Sequence, residues 1–156
     1  MKGNAGRVAA LGLAATVIGT LLSGCDVKTS DRDLSFIDPT KAEVLVQGRK
    51  RLLGLAGTTK AVCVDPRSRT DYLAGHIPGA IHLPLEHLRQ ERHRLADYQT
   101  IIVYGNTYNS PVSLAMSKSL IELGFKDVQT LRGGLRAWEL AGNPVEEGPG
   151  EEEDAE

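Results

Sequence analysis

Residues 101–111 constrain the fold of this chain more than any other stretch. Ile101-Ile102-Val103-Tyr104 is a run of β-branched and aromatic side chains, which predicts a short buried strand. Gly105, Asn106 and Asn109 supply turn chemistry, because Gly and Asn adopt positive φ at little cost. Ser110-Pro111 then reads as a helix start, with a hydroxyl to accept an orphan N–H and a proline in the first helical position. A strand, a tight loop and a helix N-terminus together aim several backbone N–H groups at one point, which suits an anion or a reacting group. The loop has no nucleophile: no Cys lies between Ile101 and Pro111, and the hydroxyls of Thr107 and Ser110 have no base beside them in sequence.

The flanking sequence places this loop in an α/β domain. Asp38-Pro39-Thr40 opens a helix, with Asp38 or Thr40 as cap and capping-box spacing from Thr40 to Glu43. Ala42, Leu45, Leu52 and Leu53 form its apolar face, and Gly54 to Lys60 is a loop. Ala61-Val62-Cys63-Val64 is wholly apolar, the mark of a central parallel strand covered on both faces, with Cys63 a small inert core residue. Asp65-Pro66-Arg67-Ser68 ends that strand, Thr70 to Leu73 makes a helical turn, and Gly75 to Pro84 is a loop feeding a short strand. Leu85 to Tyr98 is charged and helical, with Leu85, Leu88 and Leu95 turned inward. Val112 to Leu123 forms a helix on the apolar positions Leu114, Ala115, Ile121 and Leu123, stopped by Gly124 in the left-handed region. Asp127 to Leu131 is a further strand, Gly133-Gly134 turns into a short helix bearing Trp138, and Asn143-Pro144-Val145 closes the domain. Strands alternating with helices predict a mostly parallel sheet, whose functional crevice lies at the strands' carboxyl ends, where residues 105–110 sit.

The two ends of the chain read differently. Lys2 and Arg7 precede an apolar run from Val8 to Leu22 that is too short and too interrupted for a comfortable membrane span. It ends in Leu22-Ser23-Gly24-Cys25, which resembles the lipobox of bacterial lipoproteins. On that resemblance residues 1–24 are a signal peptide and Cys25 carries the lipid, whose acyl chains anchor the chain at about 0.8 kcal/mol per buried methylene. An uncleaved anchor or an ordinary secretory signal is the alternative. Asp26 is associated with inner-membrane retention in enteric bacteria, so the expected location is a bacterial cell envelope, lipid-anchored and exported. Residues 25–35 read as a polar tether and 36–145 as the single domain. Residues 146–156 hold seven acids and no bases, which predicts a disordered acidic tail. With one cysteine spent on lipid, Cys63 is alone and no intramolecular disulfide is expected. Residues 27–145 carry 16 Lys and Arg against 12 Asp and Glu, too small and scattered an excess to predict nucleic-acid binding.

The order of motifs carries a resemblance. Asp65-Pro66-Arg67-Ser68, Tyr72, Gly75-His76-Ile77-Pro78-Gly79-Ala80, the strand ending Val103-Tyr104, and Gly133-Gly134 with Trp138 resemble the single-domain rhodanese family, over Phe36 to Val145. The resemblance implies a rhodanese-like α/β fold, a five-stranded mostly parallel sheet flanked by helices on both faces. It also implies that active members carry a Cys directly after the central strand, which takes a sulfane sulfur from a donor such as thiosulfate. The loop's N–H groups hold the persulfide, often with an Arg near the loop's end. Here Gly105 stands at the Cys position, and Tyr108-Asn109-Ser110-Pro111 replaces the segment bearing the Arg. Glycine has no atom to attack sulfur.

The expected function is therefore a membrane-anchored lipoprotein, silent as a sulfurtransferase, that binds a protein partner or a small oxyanion at Gly105, Asn106, Thr107, Tyr108, Asn109 and Ser110. Asp65, Arg67 and His76 are expected to support that loop. The alternative is an enzyme that handles sulfur through Cys63 or hydrolyses through Ser110 or Tyr108, neither of which has a base or orienting acid visible in the sequence. No cofactor is expected, and His82, His87 and His93 show no metal-ligand spacing.

Overall fold

A computed structural model describes residues 29–51 and 60–150 of the chain. Its strands are β1 (Ser35–Ile37), β2 (Ala61–Asp65), β3 (Ile81–His82), β4 (Thr100–Val103) and β5 (Asp127–Leu131). They form one five-stranded sheet in the order β1-β5-β4-β2-β3, with every pairing parallel. The helices are α1 (Pro39–Arg51), α2 (Arg69–Ala74), α3 (Leu88–Glu91), α4 (Pro111–Glu122) and α5 (Gly134–Leu140). The rhodanese-like α/β fold expected from the sequence is the fold observed.

The pleat explains why β2 and β4 are apolar without alternation. Val62, Val64, Ile101 and Val103 pack on one side with Leu88, Leu95, Met116 and Leu120. Cys63 and Ile102 point to the other side, against Ala42, Leu135 and Trp138. Both faces of the central strands are covered, so each position contributes about 1.5–3 kcal/mol per large side chain removed from water.

Several local expectations are corrected. The most deeply buried residues of α4 are Ser113, Met116, Ser117 and Leu120, while the expected apolar positions Leu114, Ala115, Ile121 and Leu123 are half-buried, Ile121 and Leu123 packing against the core. A hydroxyl faces the sheet at no penalty because Ser117 Oγ and Thr130 Oγ1 are hydrogen-bonded at 2.8 Å. Gly124 does end the helix: its N–H reaches Ile121 O at 2.9 Å while Phe125 N–H reaches back to Leu120 O at 3.1 Å, the double bond of a Schellman motif. Residues 85–98 are a 3-10 turn, the single turn α3 and a second 3-10 turn, not one helix, although Leu88 and Leu95 are buried. Thr40 lies inside α1, behind Pro39, and does not cap it. Asp38 precedes the helix, its carbonyl accepting from Ala42 N–H and its carboxylate 3.6 Å from Arg132 Nε.

Both domain boundaries extend beyond residues 36–145. The expected tether contains a 3-10 turn, Asp31–Asp33, closed by a capping box between Ser30 and Asp33. It is fastened to α4 by Thr29 N–H to Glu122 Oε1 at 3.3 Å and by Asp31 to Lys118 at 2.5 Å. β1 then begins at Ser35, a strand whose three residues bury only Ile37. At the other end, Glu146 exchanges two backbone hydrogen bonds with His76, and Gly148 N–H bonds Leu73 O at 2.9 Å. Acidic residues start at Glu146, but backbone pairing there needs no apolar side chain. The signal peptide 1–24, Cys25, Leu52, Leu53, residues 54–59 of the expected loop and residues 151–156 lie outside the described residues. Among the described residues no helix is long and apolar enough to cross a membrane.

Candidate functional site

The site forms at the carboxyl end of β4, the strand between β5 and β2. Tyr104 leaves the strand fully buried, its N–H bonded to Val64 O at 3.2 Å and its phenolic oxygen accepting from Ile77 N–H at 3.2 Å. Burial, then the charge and hydrogen bonding of Asp65, push its phenol well above the usual range. The loop 105–110 follows, with Asn109 in the left-handed region at φ 55°. Pro111 heads α4, and Ser110 occupies the cap position with no side-chain cap hydrogen bond. That corrects the expected role of the Ser110 hydroxyl.

The Ser110 side chain turns into the loop instead. A Cβ added to Gly105 would collide with Ser110 Oγ and Cβ, and would lie 3.4 Å from Ser113 Oγ. The space in which a side chain at position 105 must begin is filled. Ser113 Oγ donates to Ser110 O at 2.9 Å, which ties this turn to α4.

The opposite side of the loop is held by α5. Leu135 N–H bonds Gly105 O at 2.8 Å and Arg136 N–H bonds Asn106 O at 3.1 Å. Orphan donors at this helix start are thus satisfied by loop carbonyls. The approach requires glycine at 134, with φ at 61° and a Cβ that would strike Gly105 O and sit 2.9 Å from Thr107 N. Sequence reading singled out Gly133-Gly134 as a turn but had no signal that its second glycine touches residue 105.

Arg67 reaches the loop from the end of β2. Its Nη1 donates to Asn106 Oδ1 at 2.6 Å, its Nη2 to Gly75 O at 2.7 Å, and Nε spans both Asp65 oxygens at 2.9 and 3.0 Å. Burial opposes the charge on Arg67, but the hydrogen bond and charge of Asp65 outweigh it and raise the guanidinium above its ordinary value. The pair is buried on both sides, so it acts as a fixed strut. His76 does not join it. The buried imidazole stacks on Tyr72 at 3.9 Å, takes a 3.0 Å bond between Nδ1 and Tyr72 O, and leaves Nε2 without a hydrogen bond 3.9 Å from Glu146 Oε2. It supports the turn of α2 and the segment after Val145, which corrects its expected place beside the loop.

Asn106, Thr107, Tyr108 and Asn109 are the exposed tip, with Tyr108 63% exposed. A cleft of about 670 Å³ opens beside Arg67, lined also by Arg69, His82, Glu86, His87 and Arg94. Part of its charge is internally matched: Glu91 pairs with Arg94 at 2.8 Å, and its other carboxylate oxygen lies 3.5 Å from His87 Nδ1. Cys63 faces the buried layer beneath the sheet, where burial first, and the charge of Asp65 second, push its thiol up to about 12. Among the described residues no group of three or more His, Cys, Asp or Glu could hold a metal ion.

The family model for the rhodanese-like domain matches residues 49–141, which span the central strands, the loop 105–110 and the Asp65–Arg67 strut. The chain belongs to the rhodanese-like domain family. This rhodanese-like domain is 33% identical over 109 residues to an HTH-type transcriptional regulator of Mycobacterium tuberculosis, covering 70% of the chain and 44% of that protein. It is 36% identical over 92 residues to the thiosulfate sulfurtransferase GlpE of Pseudoalteromonas translucida, covering 57% and 83%. The chain spans less than two thirds of the regulator and of YqhL from Bacillus subtilis, 44% and 64% of their lengths. The Alr3790 protein from Anabaena sp. superposes with a TM-score of 0.54 at 30% identity, over 72% of this chain and 92% of that one. The thiosulfate sulfurtransferase from Pseudomonas aeruginosa shares the fold at a TM-score of 0.63 and 24% identity, over 80% of this chain and 22% of that one.

Proposed function

We propose that this rhodanese-like domain is a binding module rather than a sulfurtransferase, carried on a bacterial envelope membrane by lipid at Cys25. One observation carries the reading: the Ser110 side chain fills the space beside Gly105. A domain that had only lost its nucleophile would keep that space open. In this loop the Ser110 side chain occupies it. The exposed tip, Asn106 to Asn109 with Tyr108 outermost, offers an aromatic face and amide hydrogen-bonding groups held on a rigid base, a composition suited to a protein partner.

The test is cyanide-dependent sulfur transfer from thiosulfate by wild type, Gly105→Cys and the double variant Gly105→Cys/Ser110→Gly. Silence in wild type and in Gly105→Cys, with turnover only in the double variant, is the expected result. Turnover by wild type overturns the reading. Calorimetric titration with sulfate, phosphate, sulfite and thiosulfate is expected to give no heat, and heat with any of them transfers the proposal from a protein partner to an oxyanion.

The second reading, sulfur handling, is favoured by the similarity to GlpE proteins. It would run through Cys63, the free thiol among the described residues. With its thiol at about 12, the thiolate fraction at pH 7 is on the order of 10⁻⁵. Loss of turnover in Cys63→Ala would establish that route.

A further inference from the structure

The N-terminal segment joins the domain at the end of the sheet opposite the loop. All strand pairings are parallel, so Ala61, Thr100 and Asp127 begin their strands at one end while Gly105 and Pro66 follow theirs at the other. α4 connects β4 to the neighbouring parallel β5 and therefore runs back, bringing its last turn to the strand starts. It is this last part of α4 that holds the N-terminal segment. Lys118 pairs with Asp31 at 2.5 Å, and Glu122 accepts Thr29 N–H at 3.3 Å. The Ser30–Asp33 capping box then fixes the turn that leads into β1.

Four peptide steps separate Cys25 from Thr29, at most about 14 Å of chain. A domain of about 100 residues has a radius of gyration of about 13 Å. A leash of that length, fastened at the strand starts, does not reach around to the strand ends. We propose that lipid on Cys25 seats the strand-start end of the domain on the bilayer and presents the 105–110 loop and its neighbouring cleft to the aqueous phase. This orientation rests on the lipoprotein reading above and deepens it: the partner is a soluble protein, or a soluble part of one, that meets Tyr108 from the side away from the lipid. Lys60 and Lys126 are exposed at the seated end and suit lipid phosphates. Asp97 is exposed there too, so leash length, not charge, carries the orientation.

The test uses the acylated full chain in phosphatidylcholine vesicles, with a maleimide fluorophore at Lys126→Cys or Lys60→Cys for the seated end and at Thr107→Cys for the loop. Cys63 is buried and does not compete for the label. Quenching by lipid carrying a nitroxide on its headgroup is expected to be several-fold stronger at 126 and 60 than at 107. Aqueous iodide is expected to give the reverse order. Equal quenching at the two ends, or stronger nitroxide quenching at 107, in a chain whose intact mass includes the acyl groups overturns the orientation alone. An intact mass without acyl groups overturns the lipoprotein reading and the orientation with it.

Discussion

The side chain of Ser110 occupies the position into which any side chain at Gly105 would have to project. Gly105 is therefore more than a position that lost a reactive atom. Its missing Cβ is a packing requirement of the loop. Gly105→Ala is expected to destabilise the domain by about 1–3 kcal/mol through overpacking. Ser110→Gly should recover part of that loss, and a coupling of 0.5 kcal/mol or more, on the order expected for contacting residues, should appear in a double-mutant cycle. Urea unfolding followed by the fluorescence of Trp138, the single tryptophan, measures all four species. Strictly additive losses would show that the two sites do not touch.

The Asp65–Arg67 strut yields an asymmetric prediction. Arg67→Met leaves the buried Asp65 carboxylate without its charged partner, keeping the backbone N–H of residue 67 at 3.0 Å, which is expected to cost up to about 3–5 kcal/mol. Asp65→Asn/Arg67→Met should regain much of that stability without restoring the Arg67 bond to Asn106. Asn106→Ala removes only the loop end of the contact and should cost about 1 kcal/mol. Thermal melts distinguish these cases, since the double change must lie above Arg67→Met if the lone carboxylate is what destabilises it.

Alkaline stability follows from two buried acids. Cys63 has its folded value raised to about 12 by burial, so the unfolded chain releases this proton at lower pH than the folded one. Its contribution is complete below the ordinary thiol range, near pH 9, and is lost as pH rises from there to about 12. The expected slope is about 1.4 kcal/mol per pH unit over that interval. Tyr104, also raised, adds a similar slope starting near pH 10. Cys63→Ala should flatten the decline above pH 9, and denaturant titrations between pH 8 and 11 provide the check. The same burial predicts that Cys63 resists alkylation until the domain unfolds.

The strap after Val145 is expected to contribute to the folded state. Ending the chain at Val145 removes the paired hydrogen bonds of Glu146 with His76 and the Gly148 bond to Leu73. At about 0.5–1.5 kcal/mol for each net bond, the shortened chain should unfold at lower urea. Amide exchange at His76 should also speed up, and unchanged exchange there would mean that the strap is not closed in solution.

What could be read from residues alone was the order of the main strands and helices around the loop, though not the broken course of residues 85–98. Apolar runs at 61–64 and 101–104, the stop at Gly124 and the turn at Gly133-Gly134 report local conformation and burial on both faces, and these are properties of adjacent residues. The absence of a thiol after β4 was likewise complete in the sequence. β1 escaped that reading because a three-residue edge strand burying one side chain carries no periodic signal. The buried serines of α4 escaped it too, because Ser113 and Ser117 look polar until Thr130 is brought opposite Ser117.

Tertiary structure alone decided which distant groups meet. Gly134 against the Gly105 carbonyl, Arg67 on Asn106 and His76 on Glu146 all depend on where parallel strands and their returning helices place separate loops. Local propensity specifies φ and ψ for a few residues at a time. Contacts between residues 39 or 70 positions apart are set by the packing of the whole sheet.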